Sequence, residues 1–412
     1  MGITRFSSNV LTALFLVGML AIVGSIMGIQ SSFSALSNNK TVSSSGSVEY
    51  SSAKILTSFK EDWFDNASRA IEVAKKFDVV ITWCEYFISE MRGANPNLLL
   101  LRYEPICGVY KDSWGWSEAL AGGWLLKDAS GKYVHSTIWQ TLYLCDPNSQ
   151  QYRNWLGTEC KQVLDQCNFD GIFGDGASSV TRPSYDLSGD PINPATQAVY
   201  TDHEWSIALK GLNQVIKQKI GSRIHIGNGC MCGSGETGGW AHFADYQDLY
   251  NTLDGAMIEC SIFAYWGGFR SEEQWKQDID FIKWHTSQRK MTLLWSYVGN
   301  TGDAESLTEY CYCSYLLGIE SFNDSFTYTD PTMETKYIES FLNITFGTPL
   351  GDYNWCLNAT HIYERDFTRT KILVNPTDSD YVVSLDRYYK TRDGQTLSQI
   401  TLKGHTGIVL FE

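Results

Sequence analysis

From residue 54 onward the chain alternates short apolar runs with longer stretches whose apolar residues recur every three or four positions. The runs at 55–59, 79–83, 98–103 and 169–175 read as buried strands, with amphipathic helices at 67–77, 86–92 and 149–164 between them. The rhythm continues with strands at 224–228, 255–259, 291–297 and 318–322, and helices at 201–220, 243–252, 272–287, 305–317 and 333–346. Strands joined by helical crossovers run parallel, and eight such units fit a closed (β/α)8 TIM barrel better than an open sheet. After residue 350 the runs become short and β-type, at 361–363, 372–374, 381–385, 388–389 and 408–411, with Asn375-Pro376 and Asp393-Gly394 as turns. The expected organisation is an α/β barrel over 53–350 and a small all-β, β-sandwich-like domain over 351–412.

The N-terminal region has a different pattern. Residues 10–29 are almost uninterruptedly apolar, with Arg5 before them and a Ser- and Asn-rich stretch after. About 20 apolar residues can span a bilayer as a helix, and a preceding positive charge favours an inside N-terminus. Residues 1–29 therefore read as a signal anchor or transmembrane helix, with a cleaved signal peptide as the alternative, and 30–52 as a flexible tether. Either reading puts the barrel outside the cell, membrane-anchored at the surface or secreted. Glycosylation sequons at Asn39, Asn66, Asn323, Asn343 and Asn358, and a count of 11 cysteines suited to disulfides, agree with export.

Composition narrows the chemistry. A net charge of −14 without any basic run argues against a nucleic-acid partner. No Gly-rich phosphate or dinucleotide loop follows the first strand, so no cofactor is expected. Seven scattered histidines, and Cys230-Met-Cys232 and Cys311-Tyr-Cys313 with one residue between thiols, do not make a metal site. The 14 tryptophans and 23 tyrosines exceed what a core usually requires, and aromatic faces stack on sugar rings.

The carboxyl ends of barrel strands converge on one pocket. By position these ends carry Trp83 and Glu85, Glu104, Asp175, Asn228, Glu259, and Trp295 with Ser296 and Tyr297. Carboxylates, amides and tryptophans gathered in this way suit glycoside hydrolysis, which places two carboxyl groups astride the bond. Asp175 and Glu259 are the candidate catalytic pair. Each leaves an apolar run that Asp-Gly enters, Asp170-Gly-Ile-Phe-Gly-Asp175 and Asp254-Gly-Ala-Met-Ile-Glu259. The matched spacing sends Asp170 and Asp254 to the opposite rim, where they serve structure. Trp83, Glu85, Glu104, Asn228, Trp266 and Trp295 are the candidate substrate-binding residues. Each of them also has an ordinary reading, as packing, cap or ion-pair partner.

Three segments carry a resemblance: Trp124-Leu-Leu-Lys-Asp-Ala-Ser-Gly-Lys, then Asp146-Pro-Asn-Ser with Tyr152-Arg-Asn-Trp-Leu, then Phe169-Asp-Gly-Ile-Phe-Gly-Asp175. Together they resemble the hypothetical glycoside hydrolase families that carry a TIM-barrel catalytic domain and a C-terminal β-domain. The resemblance implies that Asp175 is catalytic. A partner at Glu259 is similar to the α-galactosidase-like clan, where the strand-four acid is the nucleophile and the strand-six acid the acid/base. By that analogy the family is retaining. Gly174 and Gly176 depart from the usual form, which has a bulkier residue and an amide there. The combined expectation is an exported glycoside hydrolase acting on a surface or environmental polysaccharide. A non-catalytic carbohydrate-binding or structural envelope protein on the same scaffold is the alternative.

Overall fold

A computed structural model describes residues 54–58, 64–181, 187–230, 232–264, 267–299, 303–320, 325–330, 344–356 and 359–412. The expected anchor (1–29) and tether (30–52) lie outside the described residues, as does most of the helix expected at 333–346. Among the described residues no helix is long and apolar enough to cross a membrane.

In chain order the first elements are β1 (Lys54–Ser58), α1 (Ala67–Lys76), β2 (Val79–Thr82), α2 (Ile88–Ala94) and β3 (Leu99–Pro105). A long excursion holds the hairpin β4 (Gly108–Tyr110) and β5 (Leu142–Leu144), with α3 (Trp116–Gly122) between. Then come α4 (Gln150–Cys167), β6 (Gly171–Asp175), α5 (Asp202–Ile220), β7 (Ile224–Cys230), α6 (Phe243–Tyr250) and β8 (Gly255–Ala264). The barrel part ends with α7 (Glu272–Ser287), β9 (Met291–Tyr297), α8 (Ala304–Gly318) and β10 (Ser325–Asp330). Eight parallel strands close in the order β1-β2-β3-β6-β7-β8-β9-β10, with β10 returning to β1 through Phe326 opposite Lys54.

Local chemistry accounts for the helix starts. Thr201 and Ser271 form capping boxes with Glu204 and Gln274, and Asn66 and Ser149 cap α1 and α4 through their side chains. The cap of α4 is Ser149. Asp146, in the Asp-Pro-Asn stretch ahead of it, accepts from Asn148 N and from the Tyr200 hydroxyl at 2.7 Å. Asn66 is the one sequon among the described residues, and its side-chain oxygen is taken up by the cap, accepting from Arg69 N at 3.0 Å.

The two Asp-Gly steps behave alike at the N-terminal rim. Asp170 Oδ2 accepts from Leu100 N (2.7 Å) on β3 and from Arg92 (2.8 Å). Asp254 Oδ2 accepts from His225 N (2.8 Å) on β7 and from Lys217 (2.6 Å). Each carboxylate clamps the neighbouring strand in register and is neutralised by a helix-borne cation.

Two expectations change. The eighth strand is β10, not 318–322: Gly318 ends α8 and Ile319 caps it. Helix α8 is buried on nearly every side, so its apolar residues run on without a helical period into the segment read as strand. No disulfide joins the described cysteines; Cys84, Cys145, Cys160, Cys167, Cys311 and Cys313 are free thiols.

The C-terminal part comprises β11 (Asn354–Trp355), β12 (Tyr363–Asp366), β13 (Thr370–Asn375), β14 (Tyr381–Lys390), β15 (Thr396–Leu402) and β16 (Thr406–Phe411). They form one antiparallel sheet in the order β11-β12-β13-β16-β14-β15. The hairpin β14–β15 joins β16 only at Lys390 opposite Phe411, and Val383, Tyr389 and Leu402 share a small core with Leu373 and Leu410. A single sheet thus encloses its own core where two facing sheets were expected. Its other face packs on α8: Ile372, Val374 and Val409 belong to the same apolar cluster as Tyr310, Cys313 and Leu317. Arg365 of β12, buried, donates to the carbonyls of Leu316, Leu317 and Ile319 at 3.2, 2.9 and 2.5 Å. These are carbonyls that a helix end leaves without intrahelical partners.

Candidate active site

Alternation along β6 and β3 decides what enters the barrel. Pairing sets Tyr103 beside Phe173 and Pro105 beside Asp175 on the inner face, and Glu104 beside Gly174 on the outer face. The outward position of Gly174 explains its size. A Cβ there would come within 3.1 Å of His225 Nε2 and of Ile106. Gly176 has φ +85°, and a Cβ would fall 2.5 Å from Cys107 Sγ. The two glycines let the chain turn off β6 directly against 106–107, where Ile106 N donates to Asp175 O at 2.9 Å. Gly229, at a register slip in β7, likewise lets the backbone at Ala177–Ser178 approach to 2.4 Å of its missing Cβ. Ala177 N donates to Asn228 O at 2.7 Å.

Asp175 and Glu259, both half-buried, meet through one amide. Asn228 Nδ2 donates to Asp175 Oδ1 (2.7 Å) and to Glu259 Oε2 (2.8 Å). Bonds of 2.7 and 2.8 Å from a single nitrogen hold those two oxygens no more than 5.5 Å apart. Each acid also takes a phenol: Tyr103 donates to Asp175 Oδ2, and Tyr297 to Glu259 Oε1 at 2.5 Å. Each phenol is backed by an indole. Trp83 stacks on Tyr103 at 4.6 Å and 14°, Trp295 on Tyr297 at 4.8 Å and 14°. The result is a near-symmetric row across the strand ends of β2, β3, β6, β7, β8 and β9: indole, phenol, acid, amide, acid, phenol and indole. Burial first, then the negative charge of Asp175, push the Tyr103 phenol well above its ordinary range, so it stays a donor.

The backbone is unusual immediately after Glu259. Cys260 and Ile262 have φ of +56° and +65°, a region that a β-branched residue rarely adopts. Strand β8 takes five steps from Glu259 to Ala264 while β9 takes two from Trp295 to Tyr297. This wide bulge begins directly after Glu259, which is still paired opposite Trp295 as its side chain accepts from Asn228.

Of the residues expected from sequence, the structure brings Asp175, Glu259, Asn228, Trp83 and Trp295 together. Trp266 lies outside the described residues. Glu85 and Glu104 are elsewhere, and that expectation is corrected. Arg102, outward on β3, holds Glu85 at 3.4 Å and Glu104 at 3.6 Å, and donates to Trp83 O at 2.9 Å. Glu104 is buried against α4, where Cys160 and Glu159 feel its charge, and burial pushes its carboxyl up to about 7. Alternation sends Tyr103 inward and Glu104 outward, so the acid at the strand end was on the wrong face. Tyr103 was missed as a site member, and Tyr297 was placed at a strand end without being chosen as one. Their signal was present as an aromatic on the acid-bearing face, one position before Glu104 in β3 and two after Trp295 in β9. Among the described residues no group of three or more His, Cys, Asp or Glu could hold a metal ion.

The chain was compared with known proteins. No curated protein matches it. Among solved structures, the glycoside hydrolase domain of PelA from Pseudomonas aeruginosa is 11% identical with a TM-score of 0.43, over 68% of this chain and 95% of that one. A noncanonic maltogenic alpha-amylase, AmyB from Thermotoga neapolitana, is 9% identical with a TM-score of 0.49, over 83% and 92%. A variant of the GH36 alpha-galactosidase AgaA from Geobacillus stearothermophilus is 9% identical with a TM-score of 0.46, over 87% and 55%. The family model described as hypothetical glycosyl hydrolase family 15 matches residues 107–371, more than half of the chain and inclusive of both acids. The chain belongs to hypothetical glycosyl hydrolase family 15 and is a glycoside hydrolase.

Proposed function

We propose that the enzyme cleaves O-glycosidic bonds with retention, using Asp175 as nucleophile and Glu259 as general acid/base. The observation that carries this reading is the shared amide, which keeps the facing oxygens within 5.5 Å. Retaining enzymes hold their carboxyl groups about 5–5.5 Å apart, whereas inverting ones leave about 6.5–9.5 Å for a water. Asp175 has the shorter arm, at the very end of β6 with Tyr103 and Asn228 bonded to its two oxygens, which gives it a fixed line of attack. Glu259 has the longer arm on a bulged strand, suited to reaching a leaving-group oxygen. Trp83 and Trp295 sit behind the phenols; Trp83, half-buried, can present an apolar wall to a sugar, and the buried Trp295 backs Tyr297.

Asn228 uses both amide hydrogens on the acids, so its part is to hold the pair. We further propose that the chain is exported and acts on a surface or environmental polysaccharide, on the strength of the apolar run at 10–29 and the aromatic-lined site. Hydrolysis of a glycan library, followed by proton NMR of the first anomer released, tests the mechanism. A first product with inverted configuration, or undiminished turnover in Asp175→Asn or Glu259→Gln, sinks it. Glycan binding without reducing-end release would instead make this a binding protein on an enzyme scaffold. Protease shaving of intact cells tests export: protection of the barrel would overturn it.

A further inference from the structure

Glu259 is aimed by backbone that has no local reason to adopt its path. Left-handed Cys260 and Ile262 are strained backbone that persists only if the surroundings hold it. One such hold is visible. Arg270 Nη2 donates to the carbonyl of Cys260, the residue after Glu259, at 3.0 Å. Arg270 Nε is 2.5 Å from Asp278 Oδ2 of α7, and Asp278 is only 2% exposed. The other oxygen of Asp278 accepts from Ser234 N at 2.8 Å, in the loop that follows β7 and its Asn228.

We infer that Arg270 and Asp278 form a positioning pair that sets Glu259 against Asn228 by tying the β8 bulge to the loop after β7. The inference rests on the reading of Glu259 as acid/base. The guanidinium suits this work because its spread charge pairs with a carboxylate on one side while another of its N–H groups donates to a carbonyl. Arg270 is itself anchored. Its neighbour Phe269 is stacked by His405 at 3.7 Å and 6°, and touches Phe263 and Tyr310 at 4.9 and 5.8 Å. The grip on Cys260 thus reaches from α7, α8 and the C-terminal sheet to a single carbonyl. Neither residue touches substrate. Their effect is carried by the angle at which Glu259 meets a leaving-group oxygen, where misplacement of about 1 Å can cost on the order of 100-fold.

The test compares two leaving groups on the sugar that the wild-type chain releases: a methyl glycoside, which needs protonation, and a dinitrophenyl glycoside, which does not. Arg270→Met and Asp278→Asn are measured in the full chain beside Glu259→Gln. On the methyl glycoside we expect kcat to fall about 10- to 100-fold with KM within about twofold. On the dinitrophenyl glycoside kcat/KM stays near wild type. Asp278→Asn keeps the acceptor for Ser234, so it carries the test if Arg270→Met does not fold. The double variant should be no worse than the poorer single one, because the two act as a unit. Equal losses on both substrates, or wild-type rates on both, overturn the inference while leaving Glu259 in place. Absence of leaving-group dependence in Glu259→Gln overturns the acid/base reading and the inference with it.

Discussion

Replacing Glu104 with glutamine should remove a pH dependence of stability that the wild-type chain carries. The carboxyl is buried on the outer face of β3, and its nearest cation, Arg102, is 3.6 Å away and shared with Glu85. Burial, reinforced by the charges of Glu85 and Glu159, raises it from an ordinary 4.5 to about 7, against the pull of Arg102. A raised carboxyl means that the folded chain binds the proton more tightly than the unfolded chain. Its contribution is therefore fully present below pH 4.5 and is lost as pH rises to about 7. A titration delayed by this interval corresponds to about 3 kcal/mol, at about 1.4 kcal/mol per pH unit. Glutamine has nearly the same shape and no charge, so the variant should lack that slope. Guanidinium unfolding at pH values from 4.5 to 8 measures the difference directly. Glu104→Gln should gain about 3 kcal/mol relative to wild type between the two ends, or on the order of 4 °C in Tm for a unit of this size. Parallel stability curves for the two proteins across that range would refute the assignment of Glu104 to the dry layer.

Three further outcomes are expected. Asn228→Ala unties the acids from each other, and kcat should drop about 100- to 1000-fold, as on loss of a preorganised donor; a loss confined to KM would contradict the clamp. Arg365→Met leaves three carbonyls at the end of α8 without their donor and should destabilise by about 3 kcal/mol in chemical denaturation; a change under about 0.5 kcal/mol would show that water replaces it. Gly176→Ala meets both a positive φ and Cys107 Sγ, so it should destabilise by about 1–3 kcal/mol and lower turnover together, and unchanged melting would refute the crowding seen at this turn.

Asp175, Glu259 and the matched Asp-Gly entries were legible because strand alternation and a carboxylate at a strand end are local properties. Asp170 and Asp254 do the same work at the rim, as their parallel spacing implied. Other features were set by surroundings. The strand containing Glu259 runs on to Ala264 through left-handed Cys260 and Ile262, against the preference of an isoleucine, and only a tertiary grip makes that path available. Glu104 was misplaced by one position of parity, which the extent of β3 decides and which a run of apolar residues does not mark. Strand β15, Thr-Leu-Ser-Gln-Ile-Thr-Leu, was missed since its mostly exposed face reads as polar loop. The segment 318–322 was read as the eighth strand because α8, covered on both sides, loses the periodicity that would mark its stop at Gly318.

The cover over α8 has a consequence for the order of folding. β16, last in sequence among the strands, lies inside the C-terminal sheet between β13 and β14, and its Gly407 sits so close to Cys313 of α8 that a Cβ would come within 2.5 Å. During synthesis β12 and β13 cover part of the outer side of α8 first, and the rest stays bare until 406–411 have followed, long after every barrel strand has been made. Contacts of such long sequence separation close late and slowly, and the exposed apolar side is a target for aggregation meanwhile. Until β16 is in place, the uncovered part of α8 is the surface through which a nascent barrel would associate with its neighbours.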